Sequence, residues 1–353
     1  MTKLFHWTVL LFGISLFVGC GGDSGRSITN VSYDPTRELY AEYNDLFVKH
    51  WDSIKQEKIT ITQSHGGSGA QAQDVINGKE ADVVTLALSF DIDLIATKPK
   101  IELLLKDWQT RLDHNSCPYT STIVFMVRKG NPKGIKDWPD LLKDGVEIIT
   151  PNPKTSGGAR WNYLAAWGYV LKTELGDLKV IHDPDKVEVV KAAHTKAREF
   201  VRRMFKNTTT LDTGARNSTQ RFVGGQGDVL LAWENEALYF QKMEPAKGFE
   251  IVIPPITILA EPPVAVVDTI VDKRGTRDIA EEYLRFLYEP DAQDIIARNF
   301  YRPSHPDVKA KYTEVFQPVE TFTIEEVFGS WAEVQQEHFN ADGIFDQITG
   351  KTR

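Results

Sequence analysis

Residues Val146-Glu147-Ile148-Ile149-Thr150-Pro151-Asn152-Pro153-Lys154-Thr155-Ser156-Gly157-Gly158-Ala159-Arg160-Trp161 decide the fold. Val146–Thr150 is an apolar, β-branched run that suits a buried strand. Pro151–Gly158 breaks it, and a helix is expected from Ala159 to about Leu171. The same unit of strand, Gly- or Ser-bearing turn and helix recurs three more times. Ile28–Tyr33 leads through Asp34-Pro35 to a helix ending near Trp51; Asp34 suits the cap and Pro35 the first helical position. Ile59–Gln63 leads through His65-Gly66-Gly67-Ser68-Gly69 to a short helix ending near Ile76. Thr209–Leu211 leads through Asp212-Thr213-Gly214-Ala215 to a helix near Ser218–Val223.

Alternating strands and helices imply an α/β fold with mainly parallel sheets flanked by helices. The runs Ala81–Leu88 and Asp228–Trp233 read as further buried strands. Two of the four turns precede Tyr119–Arg128 and two follow it, so that strand reads as a crossing between two lobes. A second crossing is expected in the proline-punctuated stretch Ile251–Val267. The first lobe is then 28–115 with 256–353, and the second is 116–255. Helices are expected at Asp278–Tyr288, Asp291–Asn299 and Ile324–His338. At 353 residues the chain exceeds one ordinary core, which agrees with two lobes.

The first 19 residues read as an export leader: Lys3 and His6 precede an apolar run, Trp7–Val18, too short to span a bilayer. Leu16-Phe17-Val18-Gly19-Cys20 resembles a bacterial lipobox, so Cys20 is the expected lipidation site and 20–27 a lipidated tether. The product is expected on the periplasmic side of a bacterial membrane. Cys117 is the only other cysteine, and a quiet, partly buried thiol is expected there. The formal net charge is −8, or −9 without 1–19, which hold Lys3 and no acid. Such a balance disfavours nucleic acid as a partner. An anion held by this chain must be held by local dipoles.

Helix starts supply such dipoles, through unpaired N–H groups and about half a positive charge. Glycine lets an anion approach the backbone closely, and serine adds a hydroxyl. The candidate donors are the N–H groups near Asp34, the N–H and hydroxyl of Ser68 and of Ser156, the N–H groups of Gly157, Gly158 and Ala215, and the indole N–H of Trp233. Each has a plainer reading: Asp34 as a helix cap, Ser68 as part of a tight turn, Trp233 as core, and nearby Arg160 as a structural ion pair. Enzymatic readings find less support. Gly67-Ser68-Gly69-Ala70-Gln71-Ala72 fits a loose dinucleotide pattern with Asp91 about one unit later, but an exported compartment holds little free NAD. Gly66–Ala70 misses the nucleophile elbow at its last position, which leaves only a hydrolase built on Ser68 and His65. No metal-ligand spacing is present, and no cofactor is expected.

Several long segments carry a resemblance. They are Asn30–Tyr40, Gln63–Gly69, Ile149–Trp167, Gly214-Ala215-Arg216, Ala232–Glu236 and Asn299–Pro303. At these residues the chain resembles the periplasmic sulfate-binding proteins of ABC importers. The resemblance implies a two-lobed, hinge-closing fold with the ligand buried in the interlobe cleft. It also implies a monomeric, non-enzymatic receptor for the sulfate ion that docks on ABC permease subunits; thiosulfate or another tetrahedral oxyanion is the alternative. Carried over position by position, the ligand groups fall on Asp34, Ser68, Ser156, Gly157, Gly158, Ala215 and Trp233. The stretch Lys172–Lys191 looks longer than expected for that family and reads as a surface excursion.

Overall fold

The strand β1 (Ser27–Tyr33) is buried at Ile28 and throughout Asn30–Tyr33. A strand buried on both faces needs cover on both sides. It pairs in parallel with β2 (Thr60–Gly66) and β3 (Val83–Thr85), and β10 (Val264–Val266) lies antiparallel to β3. The order is β10-β3-β1-β2. Helices Arg37–Lys55 and Arg277–Phe286 cover one face through Tyr40, Tyr43, Phe47 and Tyr283. Helices Ser68–Ile76 and Ser89–Thr97 cover the other through Ala72, Val75, Ile92 and Ile95. The computed structural model describes residues 25–98 and 100–350; the expected leader and Cys20 lie outside them.

The second sheet is built around β4 (Tyr119–Val127). It adds β5 (Ile148–Pro151), β6 (Thr208–Asp212), β7 (Val229–Trp233), β8 (Glu250–Val252), β9 (Ile256–Ala260), β11 (Arg302–Pro303) and β12 (Glu320–Phe322), in the order β12-β9-β4-β7-β5-β6, with β8 and β11 also on β4. Parallel pairs β5/β6, β5/β7 and β9/β12 flank a central β4 that is antiparallel to every strand it meets. The sheet is therefore mixed, because β4 enters from the first lobe in the opposite sense.

The lobe boundary differs from the expected one. β9 and β12 belong to the second sheet, so 256–353 does not return to the first lobe as a block. The second crossing is the short span from Ala260 to Val264, within the stretch expected for it. Beyond β12, Trp331, Val334, Phe339 and Phe345 pack with Trp161, Tyr163 and Trp167 in the second lobe's core. The reason is the helix Gly157–Leu175, buried on nearly every side from Gly157 to Gly168. Such a helix needs cover from several directions, and the C-terminal segment supplies one. Periodicity alone does not say which sheet a tail will cover. Gly168 faces the ring of Phe322 in β12, and a methyl group there would overlap it.

Two further differences have local causes. The expected helix Ile324–His338 is broken into Ile324–Phe328, Trp331–Val334 and a π turn, Gln335–Phe339. Gly329, at φ +77°, ends the first piece, and Ser330 caps the second through the Glu333 N–H. The surface excursion contains two 3-10 turns, Leu178–His182, half-buried at Leu178 and Ile181 against the second lobe's core, and the exposed Pro184–Lys186, but Val187 then opens a 20-residue helix to Lys206. Its buried Ala193, Ala197, Val201 and Met204 recur at helical spacing.

Behind the Gly157–Leu175 helix, His338 is 1% exposed and shares a 2.9 Å hydrogen bond with the Tyr163 hydroxyl. Burial pushes its pKa down to about 3. A histidine whose native pKa lies below its unfolded value binds fewer protons folded than unfolded, so stability falls as pH drops below about 6.5. From pH 7 to about pH 4.5 this one group should remove about 2–3 kcal/mol. Urea unfolding at the two pH values should show a smaller acid loss for His338→Gln than for the parent chain; equal losses would remove His338 from the account.

Candidate anion site

Three of the four expected turns open directly onto helices, Ser68–Ile76, Gly157–Leu175 and Ala215–Val223, and the fourth, at Asp34, opens a 3-10 turn that runs into Arg37–Lys55. All four meet between the lobes around one small cavity. Asp34, Ser68, Ser156, Gly157, Gly158, Ala215 and Trp233 all line it, so the structure brings the whole candidate set together. No lysine, arginine or histidine is among its lining residues. The only ionisable acid there is Asp34, whose carboxylate accepts a 2.9 Å bond from Arg37. Asp34 is therefore not a side-chain cap, contrary to the plainer reading: the turn begins from Tyr33 without one.

The donors differ in readiness. The N–H groups of Ser68, Gly157, Gly158 and Ala215 stand at helix starts and have no partner among the described residues. Ser156 gives only part of what was expected: its N–H is bonded to the Asn152 carbonyl at 2.9 Å. Its hydroxyl oxygen caps the helix by accepting from the Ala159 N–H, which leaves the hydroxyl hydrogen for the cavity. The Trp233 indole N–H donates to the Gly158 carbonyl over a long 3.3 Å. The Ser68 hydroxyl accepts from the Ala87 N–H at 3.0 Å and donates to Asp91 at 2.5 Å.

Asp91 is the group that sequence reasoning misplaced. It is 1% exposed, and its second oxygen has no hydrogen bond, with Arg160 at 3.8 Å. Burial raises its carboxyl, opposed by Arg160 and by the Ser68 hydroxyl. Arg160 donates through Nε to the Pro153 carbonyl and lies beside Phe90 and Phe339, so it is structural, as its plainer reading held. The hydrolase alternative fails on geometry: His65 shares a 2.6 Å bond with Ser32, while Ser68 is held by Asp91 and Ala87. Burial first, and then Arg37, push His65 down to about 4. Asp91, bound to Ser68, is also not placed as a ribose partner.

The lobes are closed on one another. Trp161 donates its indole N–H to the Ala87 carbonyl at 2.9 Å across the gap. Arg216 grips Glu38 of the first lobe through two 2.9 Å bonds and Glu236 of the second through bonds of 2.8 and 3.2 Å. Burial lowers the Arg216 pKa, but hydrogen bonds to Glu38 and the charge of Glu236 more than offset it, so the guanidinium stays charged. This clamp was not anticipated; Arg216 stood out in the sequence only as part of the Gly214 motif. Tyr33, Pro35, Gly66, Gly67, Ala87 and Gly214 complete the lining, and no chemical signal beyond their nearness to the turns marked them. Cys117 lies away from the cavity with its thiol buried, and burial pushes its pKa well up.

A family model described as bacterial extracellular solute-binding protein matches residues 28–302. The sulfate-binding protein of Salmonella typhimurium is 55% identical over 323 residues, covering 91% of this chain and 92% of the relative. The thiosulfate-binding protein of Pseudomonas aeruginosa is 47% identical over 349 residues, covering 99% of both. Among solved structures, the sulfate-binding protein SubI of Mycobacterium tuberculosis H37Rv superposes with a TM-score of 0.75 at 30% identity, covering 89% of this chain and all of that one.

Gly157 tests whether closure makes the site. A methyl group there would come within 2.9 Å of the Ala87 Cβ and 3.2 Å of the Ser68 Cβ, both in the opposite lobe. Gly157→Ala should therefore lower oxyanion affinity at least about fivefold, an overpacking cost of about 1–3 kcal/mol. The melting temperature without ligand should move little. Calorimetry paired with a thermal melt checks both; unchanged affinity would mean that the closed contact does not contribute to binding.

Proposed function

The chain belongs to the bacterial extracellular solute-binding protein family, and on that footing we propose that it captures sulfate and delivers it to an ABC-type importer. Open lobes admit the anion, and closure surrounds it with dipoles fixed by the fold. The observation that carries this reading is the lining of the interlobe cavity: four helix-start N–H groups without a partner among the described residues and the Ser156 hydroxyl, with no cationic side chain in that lining. Neutral donors suit a fully ionised oxyanion. A hydrogen phosphate would bring a proton needing an acceptor, and the one carboxylate in the lining, Asp34, already accepts from Arg37 through Oδ1. A buried donor left without a partner costs about 1–3 kcal/mol.

The same reading makes the protein a receptor rather than an enzyme. It is exported, acts as a monomer, is held by acyl chains on Cys20 on the periplasmic side of a bacterial membrane, and hands its ligand to permease subunits. Thiosulfate is the second reading, favoured by the relative that matches 99% of the chain. Its terminal sulfur is larger than oxygen and accepts hydrogen bonds weakly, so this set of donors suits sulfate better.

Calorimetric titration of the parent chain and of Ser156→Ala with sulfate, thiosulfate and phosphate tests the proposal. Sulfate should bind tightest and phosphate at least about tenfold more weakly. Ser156→Ala should lose about 1.5–3 kcal/mol of sulfate binding, the worth of a hydrogen bond to a charged group. Phosphate binding as tightly as sulfate would defeat the selectivity argument. Thiosulfate binding tighter than sulfate would transfer the function to the second reading.

A further inference from the structure

The end of the first lobe farthest from the anion site has a composition that sulfate capture does not use. β1, β2 and β3 run parallel, so Ser27, Thr60 and Val83 start at one end and the anion-site turns lie at the other. Helix Ser89–Thr97 follows β3 and returns the chain to the starting end. There the segment after it is fixed by the Leu105 N–H to Asp268, at 3.0 Å, and by the Thr269 N–H to the Leu103 carbonyl, at 3.1 Å. Asp268 follows β10, which is antiparallel to β3, so both bonds lie at that same end.

This segment exposes Ile101 at 65% and Leu105 at 46%. Exposed Lys98, Lys100 and Lys106 stand beside them, and none of their ammonium groups forms a salt bridge or hydrogen bond among the described residues. Within the segment the acids are Glu102 and Asp107, the latter paired with Arg111; at the same end of the lobe Glu57, Asp278 and Asp268 are each paired with an arginine. Helix Arg37–Lys55 ends at the same end of the lobe and adds Ile54, 48% exposed, with Lys55, whose ammonium lies 5.7 Å from the Trp51 ring centroid, Lys58 and the acid Asp52, none of which forms a salt bridge among the described residues. In a chain of formal charge −8, the stretch 98–111 holds four cations, Lys98, Lys100, Lys106 and Arg111, against two acids, Glu102 and Asp107, around exposed aliphatic side chains. Apolar residues among lysines are the composition of a surface that rests on anionic lipid.

The chain also enters the lobe here. Arg26, just before β1, is paired with Glu57 and Asp278 at this end. Five peptide units separate Cys20 from Gly25, a reach of at most about 18 Å. An acyl chain on Cys20 would hold this end close to the bilayer rather than at a distance.

We propose that this end of the first lobe rests on an anionic bilayer surface, with Ile101 and Leu105 entering the interface and Lys98, Lys100 and Lys106 meeting lipid phosphates. The surface is a second interaction site, opposite the anion cavity. Its orienting role rests on the reading of Cys20 as an acylated anchor, but its lipid affinity does not, and the test separates the two. The chain from Gly21 onward retains every residue of the four hydrophobic clusters, from Ile28 to Ile348, so it contains the whole folded unit.

That chain, without Cys20, is floated with phosphatidylglycerol vesicles and with phosphatidylcholine vesicles, at low and at high salt. The proposal expects capture by the anionic vesicles alone, weakened by salt. Reversing Lys98, Lys100 and Lys106 to Glu should lower capture at least about tenfold, since each basic residue near an anionic surface contributes about fivefold. Ile101→Ser with Leu105→Ser should lower it severalfold. Both variants should titrate sulfate like the parent, which shows that they are folded. Capture by neither vesicle, equal capture by both, or capture unchanged in the variants would overturn the proposal. Mass spectrometry of the N-terminal peptide from cells tests the anchor separately.

Discussion

On the proposed function, the structure answers one physical problem: keeping a doubly charged anion out of water without a counter-charge. Moving an isolated ion into a medium of low polarity costs tens of kcal/mol unless the protein replaces the lost hydration. Here the replacement is a set of backbone N–H groups at helix starts, and in this molecule four turns converge on one cavity. Neither lobe holds enough of them alone. Asp34 and Ser68 come from the first, and Ser156, Gly157, Gly158, Ala215 and Trp233 from the second.

That division explains much of the remaining architecture. β4 enters antiparallel to its neighbours, so the second sheet can present its turns toward the first. The Gly157–Leu175 helix is buried along most of its length because its first turn must be held in place, and the C-terminal segment completes that cover. Charged groups near the cavity are turned to other work. Asp34 meets Arg37, Arg160 meets Asp91, and Arg216 ties Glu38 to Glu236 across the gap. The Arg216 clamp spends charge on holding the lobes together instead of on the ligand, and bonds between charged groups are the stronger kind for that purpose.

The site was more legible in the sequence than the lobe boundaries. Turns such as Gly66-Gly67-Ser68 and Ser156-Gly157-Gly158 carry their chemistry locally, because an N–H group at a helix start depends on a few adjacent residues. What depends on distant packing was not visible. The Ser156 N–H is taken by Asn152, the Ser68 hydroxyl is engaged by Asp91 from 23 residues away, and the C-terminal segment covers the second lobe rather than the first. The helix Val187–Lys206 has clear helical spacing, but the loop-like stretch from Gly176 to Lys186 before it drew the reading toward an excursion.

The most direct measurement is a high-resolution crystal structure of the chain grown with sulfate. The ion should lie in the interlobe cavity, with its oxygens about 2.7–3.1 Å from the Gly157, Gly158 and Ala215 nitrogens. No lysine or arginine nitrogen should lie within hydrogen-bonding reach. An ion bound elsewhere, or one held directly by the Arg160 or Arg216 guanidinium, would contradict it.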